Sequence, residues 1–153
     1  MTTVGGLAEM LPDLGWLSPD EIGLRQTSYW DASSLDGRAL ARPTSARQVS
    51  DLLRHASSTG QTVITHGGRT TCVDGVRAGP DDIILSLERM NRIHEIDPVE
   101  GVAVVDAGVV LQTLQEAVAR EGMMLPIDLG ARGSCTIGGN VATNAGGVNV
   151  LRY

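Results

Sequence analysis

Phenylalanine is absent from this sequence, and aromatic residues fill only 3% of its 153 positions. Nineteen glycines stand beside that shortage, so backbone approaches something closely at several places. Positive charge is also scarce: 12 Lys and Arg face 18 Asp and Glu, for a net charge of -6. No basic patch stands out, which excludes an electrostatic nucleic-acid footprint. Cys72 and Cys135 lie far apart, without a neighbouring His, which excludes a disulfide framework and a zinc site. His55, His66 and His94 form no metal-ligand spacing, so no metal site is expected, and each reads as a surface or hydrogen-bonded structural residue. No apolar run reaches the length of a membrane span or signal segment, and residues 1–10 carry Glu9 but no basic residue. A soluble cytoplasmic protein without a transmembrane segment is the expectation.

What is present is 42% hydrophobic residues in the length of one ordinary domain, enough to bury a core. Residues 1–36 read as a small helical segment, with Ser18-Pro19-Asp20-Glu21 as a helix start. Leu40 to Pro43 reads as a short extended piece, since proline disfavours helix in the residue before it. Ser45 with Gln48 forms a capping box, Val49, Leu52, Leu53 and Ala56 share one helical face, and Gly60 ends the helix. Residues 62–65 are β-branched and predict a buried strand that runs into a glycine loop. Residues 83–87 predict another strand. Residues 93–97 and 102–106, around Pro98-Val99-Glu100-Gly101, predict a hairpin. Leu111, Leu114 and Val118 mark a second amphipathic helix ending at Gly122. From Pro126 onward periodicity is lost in a glycine-rich stretch, residues 133–147. The fold class is therefore α/β (α+β): a βαβ-like first subdomain, then the start of a mixed or antiparallel second one.

Two loops carry the chemistry. The first, residues 66–75, follows a strand, where α/β sheets place ligands, and Gly67, Gly68 and Gly75 let successive amides face one anion such as a pyrophosphate. It matches neither a Walker loop nor G-x-G-x-x-G, and a tight turn using Gly67 and Gly68 at positive φ is the competing explanation. The second loop places glycine pairs, Gly138-Gly139 and Gly146-Gly147, around small polar residues that can bond phosphate, ribose or carbonyl groups. A close-packed structural crossing and a flexible linker are the alternatives; Ile137 and Val141 argue against a linker.

The stretch from Leu125-Pro126-Ile127-Asp128 through Gly133-Ser134-Cys135-Thr136-Ile137-Gly138-Gly139-Asn140, continued to Gly147 and to Leu151-Arg152-Tyr153, resembles the FAD-binding signature of the vanillyl-alcohol-oxidase (PCMH-type) flavoprotein superfamily. Within it, the sequence is most similar to the D-2-hydroxyglutarate and D-lactate dehydrogenase branch. The resemblance covers residues 38–153, with Arg42-Pro43, the Gly67-Gly68 loop, residues 87–91 and Asp106-Ala107-Gly108-Val109 in the family's order. It implies an incomplete PCMH-type FAD-binding domain over residues 37–153, preceded by the helical segment 1–36. By the same resemblance, Gly67, Gly68, Arg69, Thr70, Thr71 and Gly75 would wrap the FAD diphosphate. Pro126, Asp128, Gly133, Ser134, Ile137, Gly138, Gly139, Asn140, Thr143, Asn144, Gly146 and Gly147 would run along the rest of FAD.

Thr71 and Asp74 stand where relatives usually have glycine, and the Asp74 carboxylate would repel a diphosphate unless it points away. Relatives that bind flavin covalently use a His directly after the paired glycines; Arg69 holds that place, which implies noncovalent FAD. In the family, Arg-Tyr is followed by glycine, the remainder of the FAD domain and a substrate domain, so the chain is expected to be an amino-terminal fragment with its catalytic residues elsewhere. The function implied is oxidation of a D-2-hydroxy acid by hydride transfer to flavin, with electrons passed to an unidentified acceptor. A stand-alone FAD or nucleotide-binding module serving a partner chain, and a nonfunctional remnant, are the alternatives.

Overall fold

A computed structural model of the chain describes residues 4–152. It divides into two compact units, Met1–Arg89 and Met90–Tyr153; residues 1–3 of the expected amino-terminal segment lie outside the described residues.

The first unit begins with helix α1 (Val4–Met10) and a 3-10 turn over Pro12–Leu14. Helix α2 (Pro19–Gly23) follows, and here the expected start is complete. The Ser18 hydroxyl accepts from the Glu21 amide, while the Glu21 carboxylate accepts from the Ser18 amide at 2.8 Å. Strand β1 (Ala39–Ala41), helix α3 (Ala46–Thr59), strand β2 (Val63–His66) and strand β3 (Ile83–Ser86) complete the unit. The sheet order is β1-β3-β2 and both pairings are parallel, so β1, α3 and β2 form the expected βαβ unit with β3 inserted between its strands.

Both faces of this sheet are covered, which is why all four residues of β3 are buried. Leu7, Leu14 and Leu52 pack with Ala41, Ile83 and Leu85 on one face. Leu17, Ile22, Leu35 and Ala78 pack with Leu40 and Ile84 on the other. The amino-terminal segment thus closes both sides of the sheet rather than merely preceding it.

Some local expectations are modified. Ser45 caps α3 through the Gln48 amide, but the Gln48 side chain accepts from the Thr44 amide at 2.6 Å, so the box is shifted by one residue. Leu52 and Ala56 are buried, whereas Leu53 is 45% exposed, because the narrow sheet covers only part of the expected face. Strand β2 is half-buried rather than buried, since it occupies an outer position with a single strand neighbour. Gly60 ends α3 at φ 67°.

The second unit holds an antiparallel hairpin, β4 (Ile93–Asp97) and β5 (Val102–Val105). Its turn is fixed by the Asp97 carboxylate, which accepts from the amides of Val99 and Glu100, and by Gly101 at φ 68°. Helix α4 (Leu111–Arg120) buries Leu111, Leu114 and Val118, as the spacing predicts. Val109, Leu114 and Val118 form a core against Ile93, Ile96, Ala103 and Val105 of the hairpin. A short helix, α5 (Ile137–Ala142), lies inside the glycine-rich stretch where no regular element was predicted. Among the described residues, no helix is long and apolar enough to cross a membrane.

Candidate functional site

The first loop leaves β2 at its carboxyl end, beside the carboxyl end of the parallel β3. His66 anchors its start: the ring is buried and Nε2 donates to the Val76 carbonyl at 2.7 Å, drawing the two ends of the loop together. Burial pushes the His66 pKa down, so the ring is held neutral with its proton on Nε2. The left-handed residue of this turn is Arg69, at φ 53°, and not Gly67 or Gly68. A non-glycine residue rarely takes that conformation without restraint. Two hydrogen bonds supply the restraint: the Arg69 carbonyl accepts from the Tyr29 amide at 3.0 Å, and the Arg69 guanidinium donates to the Gln26 carbonyl.

Among the described residues, the amides of Gly67, Gly68, Arg69, Thr70 and Thr71 donate to no protein acceptor. These residues are half-buried. A run of partly covered donors without acceptors can receive an anion if the amides converge on it. The local charge points the same way. Arg25 meets Glu88 in a two-pronged contact at 2.8 and 3.1 Å, and Arg42 approaches the same carboxylate at 3.7 Å. Glu88 is held below the usual carboxylate range by Arg25. Burial and the nearby Arg25 charge lower the Arg69 pKa. Two guanidiniums therefore share one carboxylate, and Arg69, on the Gln26 carbonyl, carries charge that an incoming anion would neutralise. All 12 basic residues of the chain are arginine, which keeps its charge when partly buried.

The conflict expected at Asp74 is relieved locally. Asp74 opens a 3-10 turn (Asp74–Val76) and pairs with Arg77 at 3.5 Å, and Arg77 also contacts Asp31 at 2.9 Å. Gly75 lies in that exposed turn, where an added Cβ would meet nothing within 4 Å; its own conformation does not demand glycine.

The second loop is partly structural. Gly138 lies against Ala107: an added Cβ would stand 2.7 Å from the Ala107 Cβ and 2.9 Å from its carbonyl oxygen, which accepts from the Gly138 amide. Gly147, at φ 78°, would overlap the Asp128 carbonyl oxygen if it carried a side chain, and a Cβ on Gly146 would come within 2.7 Å of Val150. The close-packed crossing therefore explains Gly138, Gly146 and Gly147 without a ligand. The Asp128 carboxylate is engaged by Arg132 at 2.8 Å, its carbonyl accepts from the Val148 amide, and the Pro126 carbonyl accepts from Asn149 Nδ2. Asp128 and Arg132, with Leu129, Gly130 and Val148, line an open cavity of about 280 Å³.

Packing leaves other groups over. Asn140 and Thr136 are buried, yet Asn140 Nδ2 and Thr136 Oγ1 have no partner. Leaving a buried donor unsatisfied costs about 1–3 kcal/mol, so a buried amide of this kind implies an acceptor that the protein itself does not provide. Beside Asn140, the Cys135 thiol has its pKa pushed up by burial. Gly139 passes close to Thr136 Oγ1, at 3.3 Å for an added Cβ, so a side chain there would crowd that hydroxyl. Ser134, Thr143 and Asn144 are exposed around this point, with Asn144 at φ 51° and the Thr143 hydroxyl bonded to the Gly139 carbonyl. Gly133 is likewise exposed and Ile137 joins the α4 core.

Sequence reasoning missed Thr136 and the Arg25-Arg42-Glu88 group. Thr136 could have been found from its place in the same polar run as Asn140. The arginines could not, because their convergence depends on the fold. Among the described residues, no cluster of His, Cys, Asp or Glu could hold a metal ion.

Residues 37–153 match a family described as FAD binding domain. The chain is 38% identical over 150 residues to the mitochondrial D-2-hydroxyglutarate dehydrogenase of Bos taurus, covering 98% of this chain and 28% of that protein. To the D-2-hydroxyglutarate dehydrogenase of Xanthomonas citri pv. viticola it is 38% identical over 134 residues, covering 88% of this chain and 28% of the relative. A solved structure of alkyldihydroxyacetonephosphate synthase superposes with a TM-score of 0.80 at 20% identity, over 96% of this chain and 29% of that one, a likeness of fold. The chain thus spans little more than a quarter of these three proteins, and over most of its length it belongs to the FAD binding domain family, with FAD as its cofactor.

Proposed function

We propose that the chain is the FAD-holding part of a flavin-dependent dehydrogenase that oxidises a D-2-hydroxy acid, of the D-2-hydroxyglutarate or D-lactate kind, to the 2-oxo acid. The observation that carries this reading is 38% identity to a D-2-hydroxyglutarate dehydrogenase over 98% of the chain. The residues present fit the cofactor. The unpartnered amides of residues 67–71, with Arg69 behind them, suit the two negative charges of a diphosphate. The unpartnered Asn140 Nδ2 and Thr136 Oγ1 suit the hydroxyl and carbonyl oxygens along the rest of the molecule.

Bound FAD supplies a two-electron acceptor for the hydride that leaves the hydroxyl-bearing carbon. This chain's own residues bind and orient: the arginine group neutralises charge at the first loop, and the tight contact of Gly138 with Ala107 fixes α5 and hence Asn140. No residue here is given a catalytic role. Attachment is noncovalent in this reading, because Arg69 follows the paired glycines and the neighbouring imidazole of His66 is buried with Nε2 engaged. Mixing the purified full-length protein with D-2-hydroxyglutarate or D-lactate without oxygen should bleach the flavin absorbance, with the L-isomers inert. A flavin that stays oxidised with every D-2-hydroxy acid offered would overturn the substrate assignment.

A further inference from the structure

Tyr29 and Trp30 sit on a turn of the first unit, 75% and 67% exposed, with ring centroids 5.0 Å apart and planes at 82°. In a chain with two Trp, two Tyr and no Phe, adjacent exposed rings need a reason, because water contact with such large apolar surface is unfavourable. The turn is firmly built. The Thr27 amide donates to the Ser33 carbonyl at 2.9 Å, the Ser28 amide to the Asp31 carbonyl at 3.1 Å, and the Leu35 amide to the Arg25 carbonyl at 2.7 Å. The Ser28 hydroxyl accepts from the amides of Trp30 and Asp31. The base of the turn is fastened to the first loop by the Tyr29 amide on the Arg69 carbonyl and the Arg69 guanidinium on the Gln26 carbonyl. Asp31 adds a second tie, to Arg77.

We infer that this turn is a stacking platform for a flat heteroaromatic ring of the dinucleotide whose diphosphate the first loop takes. The inference rests on the FAD reading above. A dinucleotide carries a ring on each side of its diphosphate, and the aromatic pair is tied to the loop through Arg69 itself. Stacking tolerates either ring, and removing one aromatic partner weakens binding about tenfold. The restraint of the turn removes the ordering cost that an aromatic on a loose loop would pay.

The test uses the full-length protein freed of flavin, with Trp30→Ala and Trp30→Phe variants. FAD affinity is read from flavin fluorescence, and the Trp30 signal from the difference in tryptophan emission between wild type and Trp30→Phe. Trp30→Ala should weaken FAD binding about tenfold and Trp30→Phe by less than about threefold, with melting temperatures unchanged because the ring is exposed. FAD should quench the Trp30 signal, and either ADP or FMN alone should reproduce the quench, identifying which ring stacks. A Trp30→Ala protein that binds FAD at wild-type affinity, or a Trp30 signal unmoved by bound FAD, overturns the platform while leaving FAD binding intact. The second result would include a ring already covered by another part of the protein or by a second copy. A wild-type protein that takes up no FAD overturns both readings.

Discussion

A methyl group at position 138 would meet the Ala107 side chain and carbonyl at 2.7 and 2.9 Å, whereas one at position 75 would meet nothing within 4 Å. The two glycines therefore separate packing from ligand contact. Gly138→Ala is expected to destabilise the fold by about 1–3 kcal/mol despite the better helix propensity of alanine, because backbone must move. Gly75→Ala should leave the melting temperature within experimental scatter or raise it slightly. If Gly75→Ala nevertheless weakens FAD binding, the glycine serves the cofactor. Asn140 gives the opposite test. Replacing it with the similarly sized Leu removes a buried unsatisfied amide, so stability should hold or rise while FAD affinity drops about tenfold. Equal FAD affinity in wild type and Asn140→Leu would contradict the role given to Nδ2. His66 sets a pH dependence. Its folded pKa lies below the ordinary 6.5, so the unfolded chain takes up its proton first. Stability is full above about pH 6.5 and falls as pH drops from there through the folded pKa. Glu88 and Asp106, also lowered, add their losses only below the ordinary carboxylate values of 4.5 and 3.8. Thermal melts between neutral and acid pH should therefore show an upper loss that His66→Gln diminishes, and a lower one that it does not.

At the scale of elements, legibility followed periodicity. Helix α4 was readable because Leu111, Leu114 and Val118 repeat at helical spacing, and the hairpin because apolar runs flank a turn sequence. Helix α5 was not. Glycines at 138 and 139 argue against helix, and it is held by the fit against Ala107, the bonds of residues 135–138 to the segment at 107–111 and the packing of Ile137 on the α4 core. The loop after β2 was readable from the strand that precedes it, but the residue that takes positive φ, Arg69, was not, since its restraints come from Gln26 and Tyr29, some forty positions earlier. Those restraints make Arg69 a charge held in place. Arg69→Ala is expected to reduce FAD affinity about tenfold at low salt and to flatten its dependence on ionic strength. An unchanged salt dependence, read by titration at two ionic strengths, would show that the guanidinium does not face the diphosphate.

At the scale of the molecule, the chain presents two units, each with its own core. The parallel sheet of the first and the hairpin with α4 of the second were foreseeable from local pattern. The closure of both sheet faces by residues 7–35 was not, because Leu7, Leu14, Leu17, Ile22 and Leu35 show no common period and are placed by tertiary contact alone. Since the matched relatives are more than three times longer, the proposed substrate rests on them, whereas the proposed flavin contacts rest on residues present here. Noncovalent attachment is directly testable: acid precipitation of the loaded protein should leave all flavin in the supernatant, and flavin in the pellet would contradict it.

The most direct measurement is equilibrium dialysis of the flavin-free, full-length protein against FAD, in parallel with Arg69→Ala and Asn140→Leu. One FAD per chain, with affinity reduced by a change in either loop, is the expected result. No uptake, or uptake indifferent to both substitutions, would contradict the assignment of these loops to FAD.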